Sequence, residues 1–289
     1  MRTVMREKLC ALQDLRKWVW SGMFLAVGGG PLRITPMALL REVLRSGVRD
    51  LDLLVTPTGG LGVDMLIGAG VARSVEFAQI VLDEFGMAPH FRRQAEAGRL
   101  RCKDHTCPAL LSGLQAAAMG IPFIPVRGLI GSDYLRVRPE FKVVQDPYSG
   151  EEIVVVPPLA PDLALIHAIK GDRYGNLLLE RTEDDQLLIR AAKRVVASVE
   201  ELVEPEELRR SPEGVWVPSL YVDAIIPLPY GAHPTDCRGY YPIDEDHIRE
   251  YLEASQSPEA FQEYLERYVY RAADHETYLE VIGSKATPA

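Results

Sequence analysis

The sequence predicts an α/β chain: an open, mostly parallel sheet flanked by helices, ending in a helical C-terminal tail. Three observations carry this. Short apolar runs alternate with amphipathic runs through most of the 289 residues, the pattern of successive βαβ units. Glycines cluster where two of the early apolar runs end, at 28–30 and 59–62, as strand-to-helix turns require. The stretch from about 244 to 289 is rich in Tyr and Glu and reads as helix. No internal repeat, low-complexity tract or linker divides the chain. It reads as one domain, 1–289, with 244–289 as a helical extension expected to wrap around the outside or a partner.

The elements follow in order. Segment 5–20 is expected to be helical, with Leu9, Leu12, Leu15 and Val19 at spacings of three and four, until Ser21-Gly22 breaks it. MFLAV (23–27) is a short apolar strand. PMALLREVLRSG (36–47) is a helix with Pro36 near its first turn and Gly47 at its end. LDLLVTP (51–57) is apolar enough to be covered on both faces. TGGLGVDMLIGAG (58–70) is a glycine-rich loop followed by a short helix. SVEFAQIV (74–81) is a strand, HFRRQAEAG (90–98) a helix, and RLRCKDH (99–105) a weaker strand. CPALLSGLQAAAMG (107–120) is a strong helix whose small residues suit close packing. The prolines of IPFIPVR (121–127) place that strand at an edge. Residues 130–150 are expected to be an irregular excursion. EEIVVVPPL (151–159) and DLALIHAI (162–169) are strands, RAAKRVVASVEELV (190–203) is expected to be a helix, and LYVDAIIPLP (220–229) is the last strand.

The composition narrows the class. At 47% hydrophobic and 25% charged, the chain can build a sizeable core. A net charge of −9 argues against a nucleic-acid partner, whose phosphates need a basic face. Four cysteines form no disulfide framework and no zinc-type CxxC, which suits a reducing compartment. The charged N-terminus lacks a secretory signal, and no run reaches the roughly 20 apolar residues of a membrane span. The reading is a cytosolic protein with no bound metal.

Five motifs are candidates for chemistry. Gly28-Gly29-Gly30 joins a strand to a helix, where bare backbone can approach a ligand and a helix N-terminus can meet an anion. GGGPLR fits neither the dinucleotide GxGxxG nor a P-loop, and a tight turn explains it equally well. Thr58-Gly59-Gly60-Leu61-Gly62 repeats the arrangement after the next strand. Both would lie at the carboxyl edge of the sheet, where open α/β proteins bind ligands. In KDHTCPALL (103–111), Asp104, His105, Thr106 and Cys107 fall at the start of a helix. A thiol there can have a lowered pKa, but Thr106 and Pro108 also serve as a cap and a first-turn proline. IHAIKGDRYGNLLLE (166–180) reads most simply as a charged hairpin. LPYGAHPTDCRGYY (228–241) brings His233, Asp236 and Cys237 together without a recognised metal-ligand spacing, so a structural role is the better reading.

Four stretches resemble the A-type (alpha) subunits of family I coenzyme A transferases. They are SGMFLAVGGGPLRITPMALLREVLRSGVRDLDLLV, LLSGLQAAAMGIPFIPVRGLIGSDY, DLALIHAIKGDRYGNLLLE and AAKRVVASVEELV, spanning roughly residues 18–205. Beyond them, VDAIIPLPYGAHPT is similar to the glutaconate CoA-transferase-like branch and to a steroid-ring-degrading branch within it. The resemblance implies an open α/β sheet and a heteromer with a B-type (beta) subunit. It implies ping-pong transfer through a glutamyl-CoA thioester whose glutamate sits on that beta subunit. Coenzyme A would be a substrate, with no tightly bound cofactor. This chain would bind CoA and substrate through Gly28, Gly29, Gly30, Gly59, Gly60 and Asp104. Its glycines would leave room for backbone amides to close on a thioester or oxyanion. His105 and Cys107 would supply a pocket or oxyanion role. Related alpha subunits place a glutamine or glutamate where Cys107 falls here, so His105 is expected to do part of that work. Two alternatives stay open. One is an acyl-CoA or ring-opening hydrolase with His105 as base. The other is a non-catalytic anion-binding regulator, which a cluster of Arg and Lys near the glycine loops would mark; only Arg33 lies close to the first loop, and Arg73 follows the second more distantly.

Overall fold

The computed structural model describes residues 6–181, 183–211 and 214–283. In chain order its strands are β1 (Phe24–Val27), β2 (Leu51–Val55), β3 (Thr58–Gly59), β4 (Ala72–Phe77), β5 (Gln79–Ile80), β6 (Arg101–Asp104), β7 (Ile124–Val126), β8 (Lys142–Gln145), β9 (Glu152–Val156), β10 (Leu163–Gly171), β11 (Leu177–Leu179), β12 (Val195–Leu202), β13 (Val215–Val217) and β14 (Ala224–Pro227). The α-helices are α1 (Met37–Arg45), α2 (Leu61–Gly68), α3 (Pro89–Glu96), α4 (Cys107–Met119), α5 (Tyr134–Val137), α6 (Asp185–Ala191), α7 (Pro205–Leu208), α8 (Glu245–Ala254), α9 (Pro258–Leu265) and α10 (His275–Val281).

Seven of the nine strands in the main sheet run parallel, in the order β14-β12-β10-β1-β2-β4-β6. The other two, β11 and β13, extend antiparallel from the end of β10. The chain winds outward from β1 through β2, β4 and β6, then restarts at β10 on the other flank. The crevice between β1 and β10 is therefore the topological switch point. Register sets the two faces. Leu25 pairs with Leu53 and Leu163 and points to one core, while Ala26 pairs with Leu54 and Ala164 and points to the other. The second face is rich in alanine, which lets α4 and α6 lie close through Leu110, Leu114, Leu188 and Ile189.

Several expectations are corrected. The run 190–203 is not a helix: its first residues end α6 and the rest is β12, paired with β10 and β14. An apolar run buried on both faces has no period to distinguish strand from helix, and the open edge of β10 decides. Segment 5–20 is helical only as a 3₁₀ stretch, Leu12–Lys17, and residue 5 lies outside the described residues. Leu9 instead bridges to Ile225 along the edge of β14, with Cys10 N–H donating to Ile225 O at 2.9 Å. The stretch 130–150 contains α5 and β8, and β7, β9 and β8 form a separate antiparallel sheet. The run 74–81 divides into β4 and β5. The hairpin after β10 forms as read: Asp172 Oδ1 accepts from the amides of Tyr174 and Asn176.

The tail does not wrap loosely. Ile248, Tyr251, Phe261, Tyr264, Tyr268 and Tyr278 belong to the same core as Leu25 and Leu53. Each aromatic buries an area worth about 1.5–3 kcal/mol. Arg41 of α1 stacks 3.5 Å from the centroid of the Tyr278 ring. Tyr251 donates its hydroxyl to Asp64 Oδ2 at 2.6 Å, both groups fully buried. Burial pushes the Asp64 carboxyl up to about 6, against the hydrogen bonds from Tyr251 and the Phe91 amide.

Tyr251→Phe removes the donor that Asp64 needs when ionised. We expect it to cost about 1–3 kcal/mol in urea unfolding at pH 8. At pH 5, where Asp64 is mostly protonated, the loss should be smaller; an equal loss at both pH values would show that the bond does not matter.

Candidate active site

All seven parallel strands point their carboxyl ends to one edge, and the predicted motifs gather there. Gly28 follows β1, Thr58 to Gly60 follow β2, and His105 follows β6. The loop 228–241 follows β14 and docks on the first glycine loop, Ile34 N–H donating to Asp236 O at 2.8 Å.

The first glycine loop is occupied by its own chain. Gly28 N–H donates to Leu165 O at 2.9 Å, and Gly30 N–H donates to Arg33 O at 2.8 Å. Gly29 N–H donates to both carboxyl oxygens of Asp185, at 3.0 and 3.2 Å. The switch-point crevice thus holds an internal carboxyl where an anionic ligand would sit. A Cβ on Gly28 or Gly29 would strike the protein itself. On Gly28 it would lie 2.6 Å from Asp185 Oδ1, and on Gly29, whose φ is +81°, 2.7 Å from Arg33 O. The second loop interlocks with the first: a Cβ on Gly60 would overlap Pro31 O, which accepts the Leu61 amide at 3.0 Å. Gly59 packs against Val55 and Val63.

Burial pushes the Asp185 carboxyl up to about 7; the Gly29 amide opposes this, and Glu183 and Asp184 add to it. These acids make the loop a poor anion receptor. Arg33 pairs with Glu183 at 3.4 Å, and Arg73 lies at the amino end of β4, bonded to Asp52.

The β6–α4 junction is different. His105 is buried, its side chain 2% exposed, with Nε2 2.9 Å from Glu76 Oε2 and 3.0 Å from Arg138 Nη2. Lys103 Nζ donates to Glu76 Oε1 at 2.6 Å. Arg138 also bonds Glu140 Oε1 at 2.9 Å and the Asp104 carbonyl. These side chains line one wall of a cavity of about 190 Å³. Ala109, Phe141, Val156 and Leu159 line the other, and the lining as a whole is more apolar than polar. A larger cleft of about 610 Å³ lies beside α8, lined by Tyr230, His233, Asp244 and Arg249. His233 is tied there to Tyr278 and Asp244, so no free titratable pair faces that cleft from it.

Asp104 and Cys107 are exposed beside the smaller cavity. Thr106 caps α4, accepting from the Ala109 amide, and Cys107 is the first residue of that helix. Asp104, His105 and Cys107 thus lie together at the β6–α4 junction, where the His105 amide donates to Phe77 O at 2.8 Å. Sequence reading missed Glu76, Lys103, Arg138 and Asp185. Only Glu76 left a signal, as the single acid inside an apolar strand.

The loop 228–241 divides its polar residues. Cys237 joins His167 and Glu200, their ligand atoms within 4.8 Å of one another. Both His167 nitrogens are already hydrogen-bonded, to Ser198 at 2.8 Å and Glu200 at 3.0 Å. Burial pushes the Cys237 thiol far up, so it stays protonated. That donor set is a hydrogen-bond network rather than a cation site.

An open α/β sheet with its polar side chains gathered at the strands' carboxyl edge defines the class. Residues 12–227 match the family described as Coenzyme A transferase. The alpha subunit of the glutaconate CoA-transferase of Acidaminococcus fermentans is 32% identical over 297 residues, 96% of this chain and 92% of that one. The crystal structure of the glutaconate coenzyme A-transferase from that organism superposes with a TM-score of 0.89 at 31% identity, covering 96% of this chain and 93% of that one. The cholesterol ring-cleaving hydrolase IpdA subunit of Rhodococcus jostii is 32% identical over 280 residues, 93% of this chain and 94% of that one. An uncharacterized protein of Archaeoglobus fulgidus is 36% identical over 286 residues, and the chain spans 63% of its length. The chain belongs to the coenzyme A transferase family. Among the described residues no helix is long and apolar enough to cross a membrane.

Asp185 yields a pH prediction. Its raised pKa means the folded chain keeps a proton that the unfolded chain releases, so its contribution to stability falls as pH rises from about 4 through about 7. Asp185→Asn removes that loss and can still accept from Gly29. We expect the variant to gain on the order of 3 kcal/mol relative to wild type between pH 5 and 8. Parallel melting curves across that range would argue against a buried, proton-holding Asp185.

Proposed function

We propose that the chain is the alpha subunit of a heteromeric CoA transferase, moving CoA between an acyl-CoA and a carboxylic acid. The observation that carries this is the match to a glutaconate CoA-transferase over nearly the whole length of this chain, at a TM-score of 0.89. The nucleophilic glutamate belongs to a B-type partner. This fits the local chemistry. The carboxylates in the cavity wall, Glu76 and Glu140, are held in ion pairs with Lys103 and Arg138 and are poorly placed to attack a thioester. The acyl group lies against the apolar wall, and His105, Asp104 and Cys107 stand at its polar end. The glycine loops then support the site as scaffold.

A second reading is supported by His105. It lines the cavity, as the base of an acyl-CoA or ring-opening hydrolase would have to. Similarity to the ring-cleaving hydrolase points the same way. The anion-binding regulator is disfavoured, since Arg33 and Arg73 are engaged by acids.

The test is co-expression with a B-type chain, then assay of an acyl-CoA with and without a free carboxylic acid. We expect a stable complex, CoA exchange between acids without net thiol release, and no turnover by this chain alone. Thiol release without exchange would replace the transferase with the hydrolase. Failure of every B-type chain to bind would remove both.

A further inference from the structure

The fold treats the two ring nitrogens of His105 differently. Nε2 has two neighbours, Glu76 Oε2 and Arg138 Nη2. Nδ1 has none. One nitrogen cannot donate to a carboxylate and accept from a guanidinium at once, so one neighbour sets the tautomer. Burial raises the Glu76 carboxyl, but hydrogen bonds from His105 and Lys103 outweigh it and leave the pKa below its ordinary value. Glu76 is therefore ionised. An ionised oxygen 2.9 Å from a bare nitrogen lone pair is repelled, so Nε2 must carry the proton. Arg138 does not need His105, having Glu140 Oε1 at 2.9 Å, the Asp104 carbonyl, and Glu76 Oε2 at 3.5 Å.

We propose that Glu76 is a positioning residue that fixes His105 as the Nε2–H tautomer and leaves Nδ1, buried and without a partner, bare. The side chains around the ring divide the work. Lys103 holds Glu76 in place and ionised. Arg138 lies beside the ring, its Nη2 3.0 Å from Nε2. Asp104, Cys107, Glu140 and Tyr134 are the remaining titratable neighbours. The bearing on catalysis rests on the reading of this cavity as the acyl site, where the bond to Glu76 fixes the orientation and the proton of the ring in its wall.

Long-range ¹H–¹⁵N NMR on the full chain with ¹⁵N-labelled histidine reads the tautomer directly. The six histidines are few enough to assign His105 by difference with His105→Gln. At pH 7.5 the wild type should show a protonated Nε2 and a bare Nδ1. In Glu76→Gln, Lys103 keeps the amide oxygen, so the amide NH₂ faces the ring and the proton should move to Nδ1. Arg138→Lys should leave the wild-type tautomer in place. A protonated Nδ1 in the wild type, an unchanged tautomer in Glu76→Gln, or a flip in Arg138→Lys would each overturn the assignment. The wild-type and Arg138→Lys spectra decide even if Glu76→Gln fails to fold. The expected tautomer in a chain whose complex with a B-type partner shows no turnover would leave this assignment standing and remove the acyl-site reading instead.

Discussion

The Asp185 carboxyl, lying on the Gly29 amide in the crevice between β1 and β10, is the contact on which the carboxyl edge of the sheet depends. A switch point exposes backbone N–H groups that must find acceptors. Many open α/β proteins leave that task to a ligand. Here α6 supplies the acceptor, and the crevice closes around an internal group. Asp185 leaves no room for a side chain on Gly28, the carbonyls of Arg33 and Ile34 leave none on Gly29, and the turn brings Pro31 over Gly60. The two glycine loops are one interlocked unit, further braced by the loop 228–241 through Asp236.

The cavity that His105 lines lies at β4 and β6, on the flank opposite β10. Its apolar lining comes from α4, β9 and the residues next to them, and its polar lining from the ends of β4 and β6 together with Arg138 and Glu140, between α5 and β8. The net charge of −9 says little about this place, because Lys103 and Arg138 balance Glu76 and Glu140 within a few ångströms. Such balance suits a neutral thioester better than a free polyanion.

The C-terminal helices tie the opposite face to the same architecture. Their tyrosines reach Asp64 and Arg41, polar groups that α1 and α2 would otherwise leave uncovered in the core. This is why a tail whose composition suggests a surface wrap is instead part of the interior.

Much was legible in the residues themselves. The parallel α/β architecture, the glycine turns at strand ends, the helix starting at Cys107 and the Asp172 hairpin all follow from apolar period and turn chemistry, which are local properties. The grouping of Asp104, His105 and Cys107 was legible because they are neighbours in sequence. The strand nature of 195–202 was not, since a run buried on both faces carries no period and only the free edge of β10 chose its form. Nor was the partner of the first glycine loop, since the acceptor of the Gly29 amide is Asp185, 156 residues away. Glu76 and Arg138 met His105 only through strand pairing and the fold of a loop. Short-range chemistry therefore determined the elements, while the side chains that set charge and protonation in the cavity were brought together by tertiary structure alone, because hydrogen bonds and ion pairs act over a few ångströms of space and not along the chain.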